Sequence, residues 1–211
     1  DICHNHGGHS TVIIHIKGRP AHSSKPHLGL SANEWMFQVW KVLQEWIFLL
    51  QKQICSVSGS APIVNIAQVK GGEAINIVSE NAEIHLGIRP MPEHDIQQLL
   101  KPLYEELVPL QKQIARLSGK IWIEEVQHAH PLLTKLPTPL EKAIRQEHSS
   151  AKAIGVPFAT DGGTFAQMGF QPIICGPGSI DLAHQPNEFI EISEMLQYEK
   201  LLGSLLHKWC F

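Results

Sequence analysis

The sequence predicts an α/β protein with two unequal parts, a complete small α+β domain and an incomplete second one. In the first part, strand and helix patterns follow one another in the order β-α-β-β-α-β. This is the order of a ferredoxin-like unit, and it is complete within residues 8–127. The rest, residues 128–211 together with 1–7, offers about two strands and three helices. Because a doubly wound sheet needs more strands than that, we interpret the second part as a portion of a larger α/β domain.

The first part is predicted element by element from hydrophobic periodicity. Segments that are rich in β-branched residues or alternate apolar with polar residues predict four strands, at 11–17, 63–69, 82–89 and 120–126. The first helix begins with Ser31 at the N-cap and Glu34 three residues later, which is a capping box, and it runs to about Gln53. The second helix begins at Asp95 and runs to about Leu117, with leucines along its buried stripe.

The second part contains shorter patterns. They predict helices at 139–148 and 192–209, strands at 153–158 and 172–175, and a turn into a short helix with Asp161 as N-cap. A loop rich in Gly and Pro, residues 176–188, follows the second of these strands. Loops at the carboxyl ends of strands are where α/β sheets usually bind ligands.

This loop carries His184 and, four residues later, Glu188. Pro186 lies between them and favours a loop over a helix. An imidazole and a carboxylate on a stiff loop suit one metal ligand and its support. The residues alone leave a second interpretation open, because a lone loop histidine is more often an ordinary surface residue.

Composition and charge exclude several classes of protein. The 211 residues are 43% hydrophobic and 18% charged with a formal net charge of −3, so nothing attracts the chain to nucleic acid or to anionic membranes. No apolar run approaches the ~20 residues of a membrane span. Four widely spaced cysteines without a CxxC pair argue against a disulfide framework, and we therefore expect a cytoplasmic location.

The first residues form an unusual run. Cys3, His4, His6 and His9 lie close together, but a short run of this kind without a second pair is more often adventitious than a metal site. The sequence also begins without a methionine, and we interpret residue 1 as a natural or experimental cut.

Four motifs carry a resemblance to a known family. They are Gly18-Arg-Pro-Ala-His-Ser-Ser-Lys-Pro26, Gly71-Gly-Glu-Ala-Ile-Asn-Ile-Val78, Ile88-Arg-Pro90 and the loop Gly176-Pro-Gly-Ser-Ile-Asp-Leu-Ala-His-Gln-Pro-Asn-Glu188. In this order and spacing, from about residue 8 to the end, the sequence resembles the acetylornithine deacetylases. These belong to the two-zinc superfamily of aminoacylases and carboxypeptidase G-like metallopeptidases. The resemblance implies a lid or dimerisation domain joined to the C-terminal half of a zinc-peptidase α/β catalytic domain.

The resemblance assigns roles to three residues of the last loop. His184 matches a ligand of one zinc ion in a co-catalytic pair. Gly178 and Ser179 belong to the turn that would line the substrate pocket.

It also assigns roles to three residues of the lid. His22 matches a histidine that reaches into the partner subunit's active site to stabilise the tetrahedral intermediate. Asn76 and Arg89 match residues that bind the substrate's backbone and carboxylate, and the planar fork of an arginine suits a carboxylate. Without the resemblance, these residues would be interpreted as a solvated loop histidine, a turn residue and a charge at the end of a strand.

The implied function is zinc-dependent amide hydrolysis, with cobalt as an alternative metal, that removes the N-acetyl group from N2-acetylornithine in arginine biosynthesis. A homodimer formed through the lid and a small acylated amino acid as substrate are implied as well. Three alternatives stay open: a succinyl-diaminopimelate desuccinylase, a carboxypeptidase G-like hydrolase, and a non-catalytic dimerisation or binding fragment.

The sequence departs from this family in the metal-binding half. The family's His-x-Asp motif, bridging Asp, Glu-Glu pair and further acidic ligand are absent, and Glu124-Glu125 falls in the last predicted strand of the lid. Because one histidine cannot hold two zinc ions, we do not expect this chain to be active by itself.

Overall fold

Two β-sheets form the framework of the chain. The computed structural model describes residues 1–156, 158–183 and 185–210. Its strands are β1 (Ile2–His6), β2 (His9–Lys17), β3 (Ile63–Gly71), β4 (Asn81–Arg89), β5 (Lys120–Ala129), β6 (Leu132–Leu133) and β7 (Ala153–Val156). Its α-helices are α1 (Ala32–Leu50), α2 (Ile96–Arg116), α3 (Pro139–Glu147), α4 (Gly162–Gln167) and α5 (Ile192–Cys210).

The larger sheet has four antiparallel strands in the order β3-β4-β2-β5. Residues alternate between its faces, so that Ile14 and Ile84, which are paired across β2 and β4, are both buried in the core beside α1 and α2. The paired residues His15 and Glu83 lie on the face without helices and are partly exposed. This strand order is ferredoxin-like, and the predicted fold class is confirmed.

The two helices that pack on the larger sheet, α1 and α2, begin where the sequence predicts. Ser31 caps α1 by accepting a hydrogen bond from the backbone N–H of Glu34 at 3.3 Å. Asp95 caps α2 by accepting one from the backbone N–H of Gln97 at 2.9 Å. Each cap satisfies an N–H group that has no partner inside its helix. Trp46 of α1 is fully buried and donates its indole N–H to a carbonyl of α2.

The smaller sheet has three strands in the order β6-β1-β7. Strand β1 is antiparallel to β6 and parallel to β7. Ile2 of β1 is buried in a cluster with Ile144 of α3 and Leu201 of α5. The N-terminal residues therefore form one sheet with strands from residues 132–156.

Two predictions for the second part need correction. The segment 172–175 forms a single bridge, between Ile174 and Cys3, instead of a strand. Asp161 does stand at the N-cap position of α4, but its side chain makes no capping hydrogen bond. Strands β1 and β6 were not predicted at all.

The N-terminal histidines contact separate partners. His4 Nδ1 lies 2.9 Å from the carbonyl oxygen of Thr134, and His6 Nε2 lies 2.9 Å from Thr160 Oγ1. Across residues 1–156, 158–183 and 185–210, no group of three or more His, Cys, Asp or Glu side chains is placed to hold a metal ion. The run of histidines at the start is thus part of the sheet and its contacts.

Two further expectations concern the chain as a whole. All four cysteines belong to the part that the structure describes, and no disulfide joins them there. No helix in that same part is long and apolar enough to cross a membrane.

Candidate functional site

Two loops at one end of the larger sheet pair with each other. We call residues 18–31 the His22 loop and residues 72–80 the Asn76 loop. The backbone N–H of Ser23 donates to the carbonyl of Asn76 at 2.9 Å, and the N–H of Val78 donates to the carbonyl of Ala21 at 2.8 Å. An antiparallel bridge joins His22 to Ile77 between these bonds. The structure therefore brings the predicted residues His22 and Asn76 together on one exposed surface.

The His22 side chain is oriented by its own loop. The backbone N–H of Ser24 donates to His22 Nδ1 at 3.2 Å, and Ser24 Oγ lies 2.8 Å from the same nitrogen. Because Nδ1 accepts, the proton of the neutral ring is on Nε2. Within the described residues no partner for Nε2 is seen, so this N–H is an exposed donor that an incoming oxygen can use.

Arg89 lies at the opposite end of the same sheet. Strand β4 runs from Asn81, beside the Asn76 loop, to Arg89, where it pairs with Ile63 of β3. Eight steps of about 3.3 Å put the two ends of the strand about 26 Å apart. One copy of the chain therefore cannot offer His22 and Arg89 to the same small ligand.

Arg89 lines a cavity of about 740 Å³ beside the smaller sheet. Apolar side chains dominate its wall, and they include Val57, Ile63, Met91, Val156 and Phe158. In the described part of the chain, the guanidinium group has neither an ion pair nor a hydrogen bond. The pKa of the neighbouring His9 is lowered, mainly by burial and further by the positive charge of Arg89.

The remaining predicted residues lie elsewhere. Gly178 has a φ of +82°, which favours glycine, and its N–H donates to Glu194 Oε2 at 3.0 Å. It lines a separate cavity of about 260 Å³. Ser179 Oγ accepts from the N–H of Asp181 at 3.3 Å and so caps a single turn of 3₁₀ helix. His184 lies outside the described residues.

Sequence reasoning did not assign two residues that orient this site. Ser24 fixes the His22 ring, and Glu194 of α5 fixes the Gly178 turn. Ser24 stands two residues after His22, a spacing at which a side chain and a backbone N–H commonly form a local turn, and this was an available signal. Glu194 is distant in sequence from Gly178, and no pattern in the sequence indicates their contact.

The fold and the paired loops define a class of protein. A family model described as the peptidase dimerisation domain matches residues 4–114, and the chain belongs to this family, the M20 peptidase dimerisation domain.

The particular relatives share one name. Acetylornithine deacetylase of Edwardsiella ictaluri is 32% identical over 211 residues, which cover 97% of this chain and 53% of the relative. Acetylornithine deacetylase of Proteus mirabilis is 31% identical and is matched over 97% of this chain and 52% of the relative. The chain thus spans about half the length of the curated relatives that it matches.

Solved structures agree on the fold. Aminopeptidase PepT from Bacillus cereus superposes with a TM-score of 0.67 at 17% identity, over 97% of this chain and 52% of that one. A tripeptidase from Staphylococcus aureus gives 0.64 at 19% identity, with the same coverage of 97% and 52%. At these identities the likeness concerns the fold alone.

Proposed function

We propose that the chain is the C-terminal portion of a metal-dependent amide hydrolase that removes the N-acetyl group from N2-acetylornithine, as in arginine biosynthesis. The observation that carries this proposal is the exposed Nε2–H of His22, held by Ser24 in a loop that pairs with the Asn76 loop. The name shared by the relatives supports the choice of substrate.

Amide hydrolysis requires a hydrogen-bond donor where negative charge develops in the transition state. When water adds to an acetyl carbonyl, the carbonyl oxygen becomes an oxyanion, and a fixed N–H donor stabilises it. His22 offers such a donor. Arg89 would bind the substrate's carboxylate in a bidentate manner, and the Asn76 amide would contact its backbone. Gly178 and Ser179 would line the pocket.

The length of β4 supports the proposal that these residues act from different copies of the chain. The two ends of β4 are about 26 Å apart, with His22 and Asn76 beside one end and Arg89 at the other, and an amino-acid substrate is shorter than this. A site that uses both ends therefore takes His22 from one subunit and Arg89 from its partner. This supports a homodimer in which each active site is completed by the other chain.

The described residues do not fit the expected zinc or cobalt ion by themselves. No group of three or more His, Cys, Asp or Glu side chains among them is placed to bind a metal, and His184 is not among them. We therefore assign no catalytic step to the metal. We expect the 211-residue chain alone not to hydrolyse N2-acetylornithine, and turnover above that of a His184→Ala control would contradict this.

Dimerisation would use α1 and the edge strand β3. Phe37 and Phe48 of α1 are 63% and 58% exposed, and Val69 of β3 is 46% exposed. An exposed edge strand also offers unpaired backbone groups to a second copy. We expect a dimer at micromolar concentration by light scattering, weakened by Phe37→Glu but not by Phe189→Glu, whose side chain is 57% exposed outside α1 and β3. A monodisperse monomer would contradict this route.

The catalytic proposal is tested by fusing the chain to the N-terminal half of the Edwardsiella ictaluri deacetylase and measuring release of ornithine. His22→Ala should lower kcat by about 10²–10³, because it removes one oxyanion donor. KM should change little, because the charge exists only in the transition state.

Mixed dimers give the sharper experiment. A His22→Ala chain paired with an Arg89→Ala chain keeps one site that has Arg89 from the first chain and His22 from the second. Activity above that of either variant alone is expected. Absence of recovery in mixed dimers of proven composition would show that His22 does not act across the dimer.

A non-catalytic dimerisation module is the second candidate. The observation in its favour is that no metal-binding group is found within the described residues. It predicts that the fused protein dimerises but hydrolyses neither N2-acetylornithine nor a succinylated or glutamate-linked amide. Hydrolysis of one of the latter substrates would instead identify a sister activity.

A further inference from the structure

Asn33, in the first turn of α1, holds the Asn76 loop against the helix. Ser79 of this loop is buried, and its Oγ lies 3.1 Å from Asn33 Oδ1 and 3.0 Å from the carbonyl oxygen of Asn81. The hydroxyl has one proton, which these two acceptors share. The carbonyl of Ser79 also accepts from the N–H of Ala32 at 2.8 Å. One residue of the loop is thus bound to the helix through both its side chain and its backbone.

Two glycines make room for the Asn33 amide on its other side. A Cβ atom at Gly71 would lie 2.1 Å from Asn33 Oδ1, and one at Gly72 would lie 3.2 Å from Asn33 Nδ2. Gly72 also has a φ of +80°, which other residues rarely adopt. The glycine pair at the junction of β3 and the Asn76 loop therefore leaves room for an amide group at position 33.

The Asn76 loop in turn holds the backbone on both sides of His22. Val78, next to Ser79, donates to Ala21, and Asn76 accepts from Ser23. A shift of the Asn76 loop away from α1 would therefore displace residues 21 and 23 together. The imidazole of His22, which lies between them, would move as well.

We propose that Asn33 is a positioning residue for His22, acting through Ser79 and the Asn76 loop. A role of Asn33 in catalysis rests on the proposed function of His22. The contact between Asn33 and Ser79 does not depend on that proposal. Asn33 would touch no substrate; it would fix where the Nε2–H donor of His22 stands.

The first test uses the 211-residue chain and amide hydrogen exchange followed by NMR. Without Asn33 the Ser79 hydroxyl still donates to the carbonyl of Asn81, so the expected loss is at the lower end for a neutral hydrogen bond, about 0.5–1 kcal/mol, which corresponds to about a two- to fivefold change in a local opening constant. Asn33→Ala should therefore speed exchange at Val78 and Ser23 about two- to fivefold. Because alanine is the better helix former, α1 itself should not be weakened.

Matched variants separate this effect from a general loss of stability. Gln38→Ala changes an exposed residue of the same helix and should leave Val78 and Ser23 unchanged. Ser79→Ala should reproduce the Asn33→Ala result, and Ser79→Thr, which keeps the hydroxyl, should largely restore protection. Unchanged exchange in Asn33→Ala would overturn the proposal. So would a uniform acceleration that includes the core amide of Ile14.

The second test uses the fused enzyme and asks whether Asn33 acts through His22. Asn33→Ala should lower kcat by at most about fivefold in the wild-type background and have no further effect in a His22→Ala background. Equal losses in both backgrounds would overturn the proposal. If the fused wild type has no activity, the proposed function fails, whereas the exchange rates still decide whether Asn33 holds the His22 loop.

Discussion

Trp46→Phe should lower the free energy of unfolding by about 2 kcal/mol, as judged from two contributions of about equal size. Trp46 is 1% exposed, and its Nε1–H donates to the carbonyl of Leu99 in α2 at 2.9 Å. Losing this bond costs about 1 kcal/mol. The ring volume lost is on the order of 40 Å³, which at about 24 cal/mol per Å³ adds about 1 kcal/mol.

Chemical denaturation followed by far-UV circular dichroism measures this loss. In a chain of this size 2 kcal/mol corresponds to a fall in Tm of about 4–8 °C. Trp46→Ala should cost about 3–5 kcal/mol. Trp209→Phe is the control, because that side chain is 50% exposed, and it should change stability by less than about 0.5 kcal/mol. Equal effects of Trp46→Phe and Trp209→Phe would refute the idea that Trp46 fastens α1 to α2.

Three more predictions concern the same denaturation experiments. Burial lowers the pKa of His6 below its ordinary 6.5, so the unfolded chain binds more protons than the folded chain at mildly acidic pH. The free energy of unfolding should therefore fall as pH drops from about 7.5 to about 5.5. His6→Gln should make this dependence on pH shallower, and an unchanged dependence would contradict the prediction. Gly203→Ala in α5 should raise stability by about 0.5–1 kcal/mol, because an added Cβ there meets no atom within 4 Å. Gly163→Ala should instead cost about 3 kcal/mol or more, because its Cβ would lie 1.9 Å from the carbonyl oxygen of His130; similar stability of the two alanine variants would contradict both statements.

The first part of the fold could be predicted because its signals are local. Apolar alternation marks β2 and β4, and the caps Ser31 and Asp95 mark the helix starts within one residue. The larger sheet uses residues 9–129, while the division into domains at residue 127 stays a prediction.

The second part could not be predicted as well because its contacts are distant in sequence. Strand β1 is Ile-Cys-His-Asn-His, and each of its two histidines contacts a group more than a hundred residues away. His4 contacts the carbonyl of Thr134, and His6 contacts the hydroxyl of Thr160. No periodicity within five residues reveals such partners. A run of histidines and a cysteine therefore resembles a metal site in sequence and is part of a sheet in the structure.

The order of the residues along the chain already implies that Asn76 and Arg89 lie apart. Asn76 precedes the strand that ends at Arg89, so any straight strand over 81–89 puts them at opposite ends. The motifs identified the residue types, but only the pairing of the His22 loop with the Asn76 loop shows which of them share a surface.

The rigidity of the larger sheet makes dimerisation a condition for a site that uses both of its ends. The central strands β2 and β4 are buried on one face by α1 and α2, with Ile14, Ile84 and Leu86 at most 1% exposed. Bending them enough to close about 26 Å would expose this core, which costs about 25 cal/mol for each Å² of apolar surface. Rotation of the lid as a whole keeps the distance between His22 and Arg89 constant. In the proposed dimer a second copy places its His22 loop near Arg89, and a variant that dimerises poorly through α1 should therefore lose kcat in proportion to its monomer fraction, however well each monomer is folded.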